Sequence, residues 1–214
     1  MIDFDRLSPE QLADALRRAL ARGLPGRVAQ RAMTPELAYG RHHGPVPGDA
    51  RRAAVLLAAN PSQASWSIPA ILRPATMRSH AAQVSLPGGM VEADETPEET
   101  ALREFAEELG APTSELQVLG ALAPVYVFIS NFEVTPIVAV SHEPLVVRPN
   151  RDEVEEVVHV PLLQLLDPAC QANYIIRRGQ LAFRAPYYAI AGREVWGATS
   201  LILAEFAELL RRSE

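Results

Sequence analysis

The chain has 214 residues, a net charge of −6 and an apolar content of 48%. That length suits one domain with room for a terminal appendage, and the apolar fraction is ample for a full core and excludes a disordered chain. The acidic balance gives no support for non-specific nucleic-acid binding, and no run approaches the roughly 18 apolar residues of a membrane span.

The start, Met1 to Asp5, lacks the basic and apolar regions of a signal peptide. Cys170 is the single cysteine, so no intrachain disulfide can form. A reducing cytoplasm is the expected location, with Cys170 a buried, inert thiol. All twenty basic residues are arginine, a bias for which genomic codon usage is the favoured explanation, since composition alone does not show phosphate binding.

In chain order, residues 8–22 read as a helix, with Ser8 as N-cap, Pro9 in the first turn and Leu12, Ala15, Leu16, Ala19 and Leu20 at helical spacing. Residues 38–52, rich in Gly, Pro, His and Arg, read as a surface connection, with His42 and His43 solvated. Residues 1–50 are therefore expected to be an N-terminal helix and connection, and residues 51–214 the main domain. Strands are predicted at Arg52 to Ala59 and Ser67 to Leu72, separated by an Asn60-Pro61-Ser62 turn, and a short one at Gln83 to Leu86. Pro87-Gly88-Gly89 reads as a turn. Thr96 to Leu109 reads as a strong helix: Thr96 caps it, Pro97 opens it, Glu98 and Glu99 suit its positive end and Gly110 stops it. Further strands are predicted at Leu116 to Leu122, Val125 to Ile129, Phe132 to Val140, Val154 to Val160, Tyr174 to Arg177 and Leu181 to Ile190. Short and long helices are predicted at Leu162 to Leu166 and Thr199 to Arg212. Mixed strands with a few helices predict one α/β or α+β domain.

The window from Glu92 to Glu108 carries eight carboxylates against the single Arg103, which exceeds the net charge of the whole chain. Within it Glu104, Glu107 and Glu108 stand at i, i+3 and i+4 and share one helix face. Three crowded carboxylates repel one another, and hard cations such as Mg²⁺ or Mn²⁺ would offset that repulsion. Arg103 lies four residues after Glu99 and eight after Glu95, so it could brace the loop to the helix. A cation pointing at the carboxylates themselves would compete with a metal.

Gly89, Glu95, Arg103, Glu104, Glu107, Glu108 and Gly110 fit G-x5-E-x7-R-E-U-x-E-E-x-G-U, with Phe105 and Ala111 at the bulky apolar positions. Seven fixed positions would coincide by chance with odds of roughly one in a million. The segment resembles the Nudix box, the signature of the Nudix hydrolases. The resemblance implies an α/β/α sandwich with a mixed β-sheet and a loop–helix–loop formed by the box. It implies hydrolysis of a nucleoside diphosphate linked to another moiety, dependent on Mg²⁺ or Mn²⁺. Glu104, Glu107 and Glu108 would be metal ligands, with a carbonyl near Gly89 adding another. Arg103 and Glu95 would be a structural pair.

Upstream, Arg73 to Gly89 resembles the segment that marks the coenzyme A pyrophosphatase subgroup, with Arg73 and Arg78 on its two arginines. Ile71, Pro74, Ala82 and Leu86 depart from that pattern. Downstream, Phe132 to Val138, Asn150 to Val154, Val160-Pro161-Leu162 and Val195 to Thr199 resemble further segments of the subgroup. Arg73 and Arg78 would then grip substrate phosphate. The implied reaction splits coenzyme A or a derivative into adenosine 3′,5′-bisphosphate and a 4′-phosphopantetheine product. Another nucleoside diphosphate derivative, such as ADP-ribose or a dinucleotide, or a non-catalytic nucleotide-binding module, is the alternative. The expected partner is this small-molecule substrate, with no nucleic acid or membrane, in a monomer or homodimer. Glu153, Glu155 and Glu156 are candidates for a distal ligand or general base. Trp196 and the Tyr187-Tyr188 pair could stack on a base, although core packing is the expected role.

Overall fold

A computed structural model describes residues 4–38, 40–61, 65–75 and 82–213. Its central strand, β1 (Arg51–Pro61), has apolar residues on both faces, as a strand covered on both sides requires. Ala54, Leu56 and Ala58 point into one core, while Leu57 and Ala59 point into the other. β1 pairs in parallel with β7 (Phe132–Ser141), so Leu56 lies beside Ile137 and Leu57 beside Val138. The remaining strands of this eight-stranded mixed sheet are β2 (Trp66–Leu72), β3 (Val84–Ser85), β4 (Gly88–Met90), β5 (Leu116–Ala121), β6 (Val125–Val127) and β8 (Glu156–Pro161). β3 and β8 flank β2, β4 pairs with β1, and β5 and β6 pair with β7.

One helix layer packs on each face. α1 (Pro9–Ala21) and α5 (Gly197–Arg212) bury Leu12, Leu16, Leu203 and Phe206 in the larger core, which also takes Phe4 and Met33. α3 (Pro97–Leu109) buries Ala101, Phe105 and Leu109 in the smaller one. The fold is therefore a mixed α/β sandwich, as expected. The short helices α2 (Gly26–Gln30) and α4 (Leu162–Leu166) complete the helical set, and β9 (Gln171–Arg178), β10 (Leu181–Ile190) and β11 (Arg193–Val195) form a separate antiparallel sheet. Among the described residues no helix is long and apolar enough to cross a membrane.

Three readings are corrected. Gly88 and Gly89 are not in a turn; they lie in β4, opposite Val55 and Ala54 of β1. His42 is buried rather than solvated, with Nδ1 3.0 Å from the Tyr126 carbonyl and its ring 5.0 Å from that of Phe128. Burial pushes its pKa below the usual histidine value. Trp196 is 46% exposed and so is not a core residue, whereas Tyr188 is buried and Tyr187 stacks on Tyr174.

Candidate active site

α3 begins with a reciprocal cap. The Thr96 hydroxyl accepts from Glu99 N at 3.2 Å, and Thr96 N donates to Glu99 Oε2 at 2.8 Å. At the other end Gly110 takes φ 60°, and a Cβ there would overlap the Arg148 carbonyl. The chain after β7 wraps this end: Arg148 N donates to Leu109 O at 2.7 Å and Asn150 N to Glu108 O at 2.9 Å. Thus the fold holds both ends of the acidic helix and brings the Asn150–Glu153 turn against Glu108.

Glu104 approaches the backbone of β4. A Cβ on Gly89 would fall inside the Glu104 carboxylate, so only glycine permits this approach. Glu108 is 3% exposed. Its Oε2 accepts from Gly88 N at 3.0 Å, and its Oε1 lies 3.6 Å from Arg73 Nη1. Burial pushes its carboxyl up to about 8; the Gly88 N–H and Arg73 oppose the rise, while the charges of Glu104 and Glu153 add to it. Glu107 is more open, at 56% side-chain exposure.

Arg103 forks onto Glu95, with Nε donating to Oε1 at 2.6 Å and Nη2 to Oε2 at 3.0 Å. The expected brace to the loop is therefore made through Glu95. Buried Thr100 supports it by donating to Glu95 Oε2 at 2.7 Å, a contact that sequence spacing did not suggest. Contrary to the competition argument, Arg103 Nη1 also donates to Glu104 at 2.8 Å and to Glu107 at 3.2 Å. The reason is geometric: residues i+1 and i+4 from Arg103 lie within reach of a guanidinium already fixed by Glu95. With Glu104 and Glu107 turned to Arg103 and Glu108 to Gly88, no three His, Cys, Asp or Glu side chains among the described residues are gathered to hold a metal ion.

The Glu95–Arg103 fork has a pH signature. Arg103 holds the Glu95 carboxyl down to about 2, below its ordinary 4.5. A depressed carboxyl stabilises the fold above its unfolded pKa and loses that contribution as pH falls through the folded value. The difference in urea midpoint between the native protein and Glu95→Gln should thus be constant above about pH 5 and vanish as pH approaches 2.

Arg73 reaches this site from the end of β2, but its Nε is buried without a hydrogen-bond partner. Arg78 lies outside the described residues. Of the three downstream candidates, Glu153 is the one whose charge is felt at Glu108. Glu156 pairs with Arg193, and Glu155 is exposed.

Residues 49–178 match the NUDIX domain. The chain belongs to the Nudix family. It is accordingly a Nudix hydrolase, acting on pyrophosphate bonds. It is 38% identical over 138 residues to a protein named an uncharacterized Nudix hydrolase NudL from Photorhabdus laumondii, covering 64% of this chain and 73% of that one. It is also 38% identical over 150 residues to the human mitochondrial coenzyme A diphosphatase NUDT8, covering 65% of this chain and 62% of that one. A crystal structure of a Nudix hydrolase from M. smegmatis, RenU, aligns over 76% of this chain and 83% of that one, with 23% identity and a TM-score of 0.49. The likeness to NudL and to the human protein places the chain with the coenzyme A pyrophosphatase-like Nudix proteins.

Divalent metal ions such as Mg²⁺ or Mn²⁺ are general to Nudix hydrolases. The three glutamates offer a donor set of the kind such an ion takes, although in this structure they do not converge on one point. The set is all oxygen, as hard cations prefer. Glu108 is a buried carboxylate whose near partners are one backbone N–H and an arginine at 3.6 Å, a shortfall of positive charge that a cation would meet.

Proposed function

We propose that the protein hydrolyses the diphosphate bond of coenzyme A or a coenzyme A derivative with the help of Mg²⁺ or Mn²⁺. The products would be adenosine 3′,5′-bisphosphate and a 4′-phosphopantetheine compound. The observation that carries this reading is Arg73, from the subgroup segment, standing beside Glu108 of the Nudix helix. The likeness to the human coenzyme A diphosphatase supports it.

Glu104, Glu107 and Glu108, with the Gly89 carbonyl, would hold the cation. When bound, the ion neutralises the diphosphate and acidifies an attacking water. Arg103, fixed by Glu95, sets the directions of Glu104 and Glu107. Arg73 presents a guanidinium to the phosphate oxygens, and Arg78 is proposed to do the same. Glu153 is proposed to accept a proton from the attacking water. The water oxygen bonds to one phosphorus as the bridging P–O bond breaks, and the bridging oxygen leaves on the other phosphate. A cytoplasmic location belongs to the same reading, since coenzyme A is a soluble substrate and Cys170 is free.

A panel of coenzyme A, its 3′-dephospho form, ADP-ribose and a diadenosine polyphosphate, with either metal and product masses as readout, tests the proposal. Coenzyme A should be cleaved. Loss of the 3′-phosphate should lower kcat/KM by about 10- to 100-fold if an arginine reads it, the equivalent of one charge-assisted hydrogen bond. A clear preference for ADP-ribose or the dinucleotide, with coenzyme A inert, would overturn the substrate and leave the hydrolase.

A further inference from the structure

Among the described residues, Arg73 Nε and Ser85 Oγ are both buried without a hydrogen-bond partner. The sheet register puts them on one face. Ser85 lies opposite Ile71 where β3 pairs with β2. Side chains directly opposite in a pair share a face, and Ile71 packs with Phe105 of α3 in the smaller core. Leu72 and Val84, the next opposite pair, point into the larger core instead. Arg73, two residues beyond Ile71, returns to the α3 side, where it meets Glu108. Ser85 and Arg73 are therefore diagonal neighbours on the face that carries the acidic helix, a separation that a long side chain spans.

The Arg73 backbone is fixed, while its side chain is not. Arg73 N donates to Gln83 O and Ala82 N donates to Arg73 O, both at 3.1 Å. Two residues against one make a β-bulge, and it holds Ala82 at φ 54°, a left-handed conformation that residues other than glycine seldom take. Strain of this kind is kept where the position of the backbone matters. Yet the guanidinium Nη1 is 3.6 Å from Glu108 Oε1, beyond a direct hydrogen bond, and Nε–H has no acceptor. The two unpartnered atoms are complementary: Nε–H can only donate, and the Ser85 hydroxyl oxygen can accept. Each is costly to bury alone.

We propose that Ser85 is a positioning residue for Arg73: its hydroxyl accepts the Arg73 Nε–H when a substrate phosphate replaces Glu108 as the counter-charge of the guanidinium. This rests on the reading above that Arg73 grips phosphate. Anchored at Nε, the guanidinium presents its two Nη groups as a fork to the phosphate oxygens. Without substrate it rests loosely on Glu108, and the two unpartnered atoms weaken the fold. Phosphate binding thus satisfies two buried atoms that the free protein leaves open.

The direction of the stability change separates this role from a structural one. Ser85→Ala removes an unpartnered hydroxyl, so the urea midpoint of the free protein should rise by about 0.3–1 M. The same variant should bind α,β-methylene-ADP, whose bridging carbon resists hydrolysis, about 10-fold more weakly in calorimetry with Mg²⁺. Ser85→Cys, close in shape but a weak acceptor, should lose affinity likewise, and it decides the matter if Ser85→Ala does not fold. In an Arg73→Ala background, Ser85→Ala should weaken binding no further. Native affinity in the Ser85 variants, or a full loss from Ser85→Ala when Arg73 is already absent, would overturn the proposal. A lowered urea midpoint with unchanged affinity would make Ser85 a structural residue and overturn it too. Native protein that binds the analogue through Ser85 and Arg73 but cleaves no diphosphate would uphold the positioning role and overturn the hydrolase.

Discussion

Glu108→Gln should lower turnover about 10²- to 10³-fold while leaving the fold intact, since it removes a ligand charge where transition-state charge is stabilised. The substitution is nearly isosteric, and Glu108 is held mainly by one hydrogen bond from Gly88 N to Oε2, which an amide oxygen can also accept. The pKa of about 8 adds a stability argument: an uncompensated carboxylate in that position is costly to ionise, so the neutral amide should not destabilise the protein. Steady-state rates with Mn²⁺, alongside urea denaturation of both proteins, separate the two effects. Native rate in the variant would remove Glu108 from the metal-ligand set. Adding EDTA to the native protein should abolish turnover in the same assay and restore it on adding excess Mg²⁺ or Mn²⁺.

Glu205→Ala should cost about 3–5 kcal/mol of stability, since three donors lose their acceptor at about 1–3 kcal/mol each. Glu205 is fully buried in α5. Its Oε1 accepts from Gly26 N at 3.0 Å and from Ala123 N at 3.1 Å, and its Oε2 accepts from Gln30 Nε2 at 2.7 Å. One side chain therefore satisfies the start of α2, the connection between β5 and β6, and the end of α2. Alanine leaves one buried and two half-buried donors without partners, and each such group is expensive. For a chain of this size the melting temperature should fall by about 10 °C. A fall under about 2 °C would show that water replaces the carboxylate. Activity at a temperature where both proteins are folded should change little, because none of these contacts touches α3.

The acidic helix was readable because its signals are local. Thr96, Pro97, Glu99 and Gly110 each act within one turn of the helix end they define, and the structure gives them those roles. β4 was not readable: Gly88-Gly89-Met90 shows no alternation, and isolated glycines signal a turn. Only pairing with β1, some thirty residues earlier, makes it a strand. The same limit hid the partners of Glu205, which are 82 to 179 residues away. His42 was misread because its burial depends on Phe128 and Tyr126, which no local pattern connects to it. Among Glu153, Glu155 and Glu156, strand alternation could not say which faces the helix; the turn held by Val154 N on Asn150 O, at 2.8 Å, singles out Glu153.

The partition of β1 between two cores has an evolutionary consequence. Adding or deleting one residue within this strand would exchange Ala54, Leu56 and Ala58 with Val55, Leu57 and Ala59, inverting both cores at once. It would also move Gly88 and Gly89 off Val55 and Ala54, and with them the backbone against which Glu104 and Glu108 rest. Length changes in this lineage should therefore collect elsewhere, in the connections around the sheet. New substrates would be reached by changing the residues on the rim, while the spacing of the carboxylates stays locked to the strand that separates the two cores.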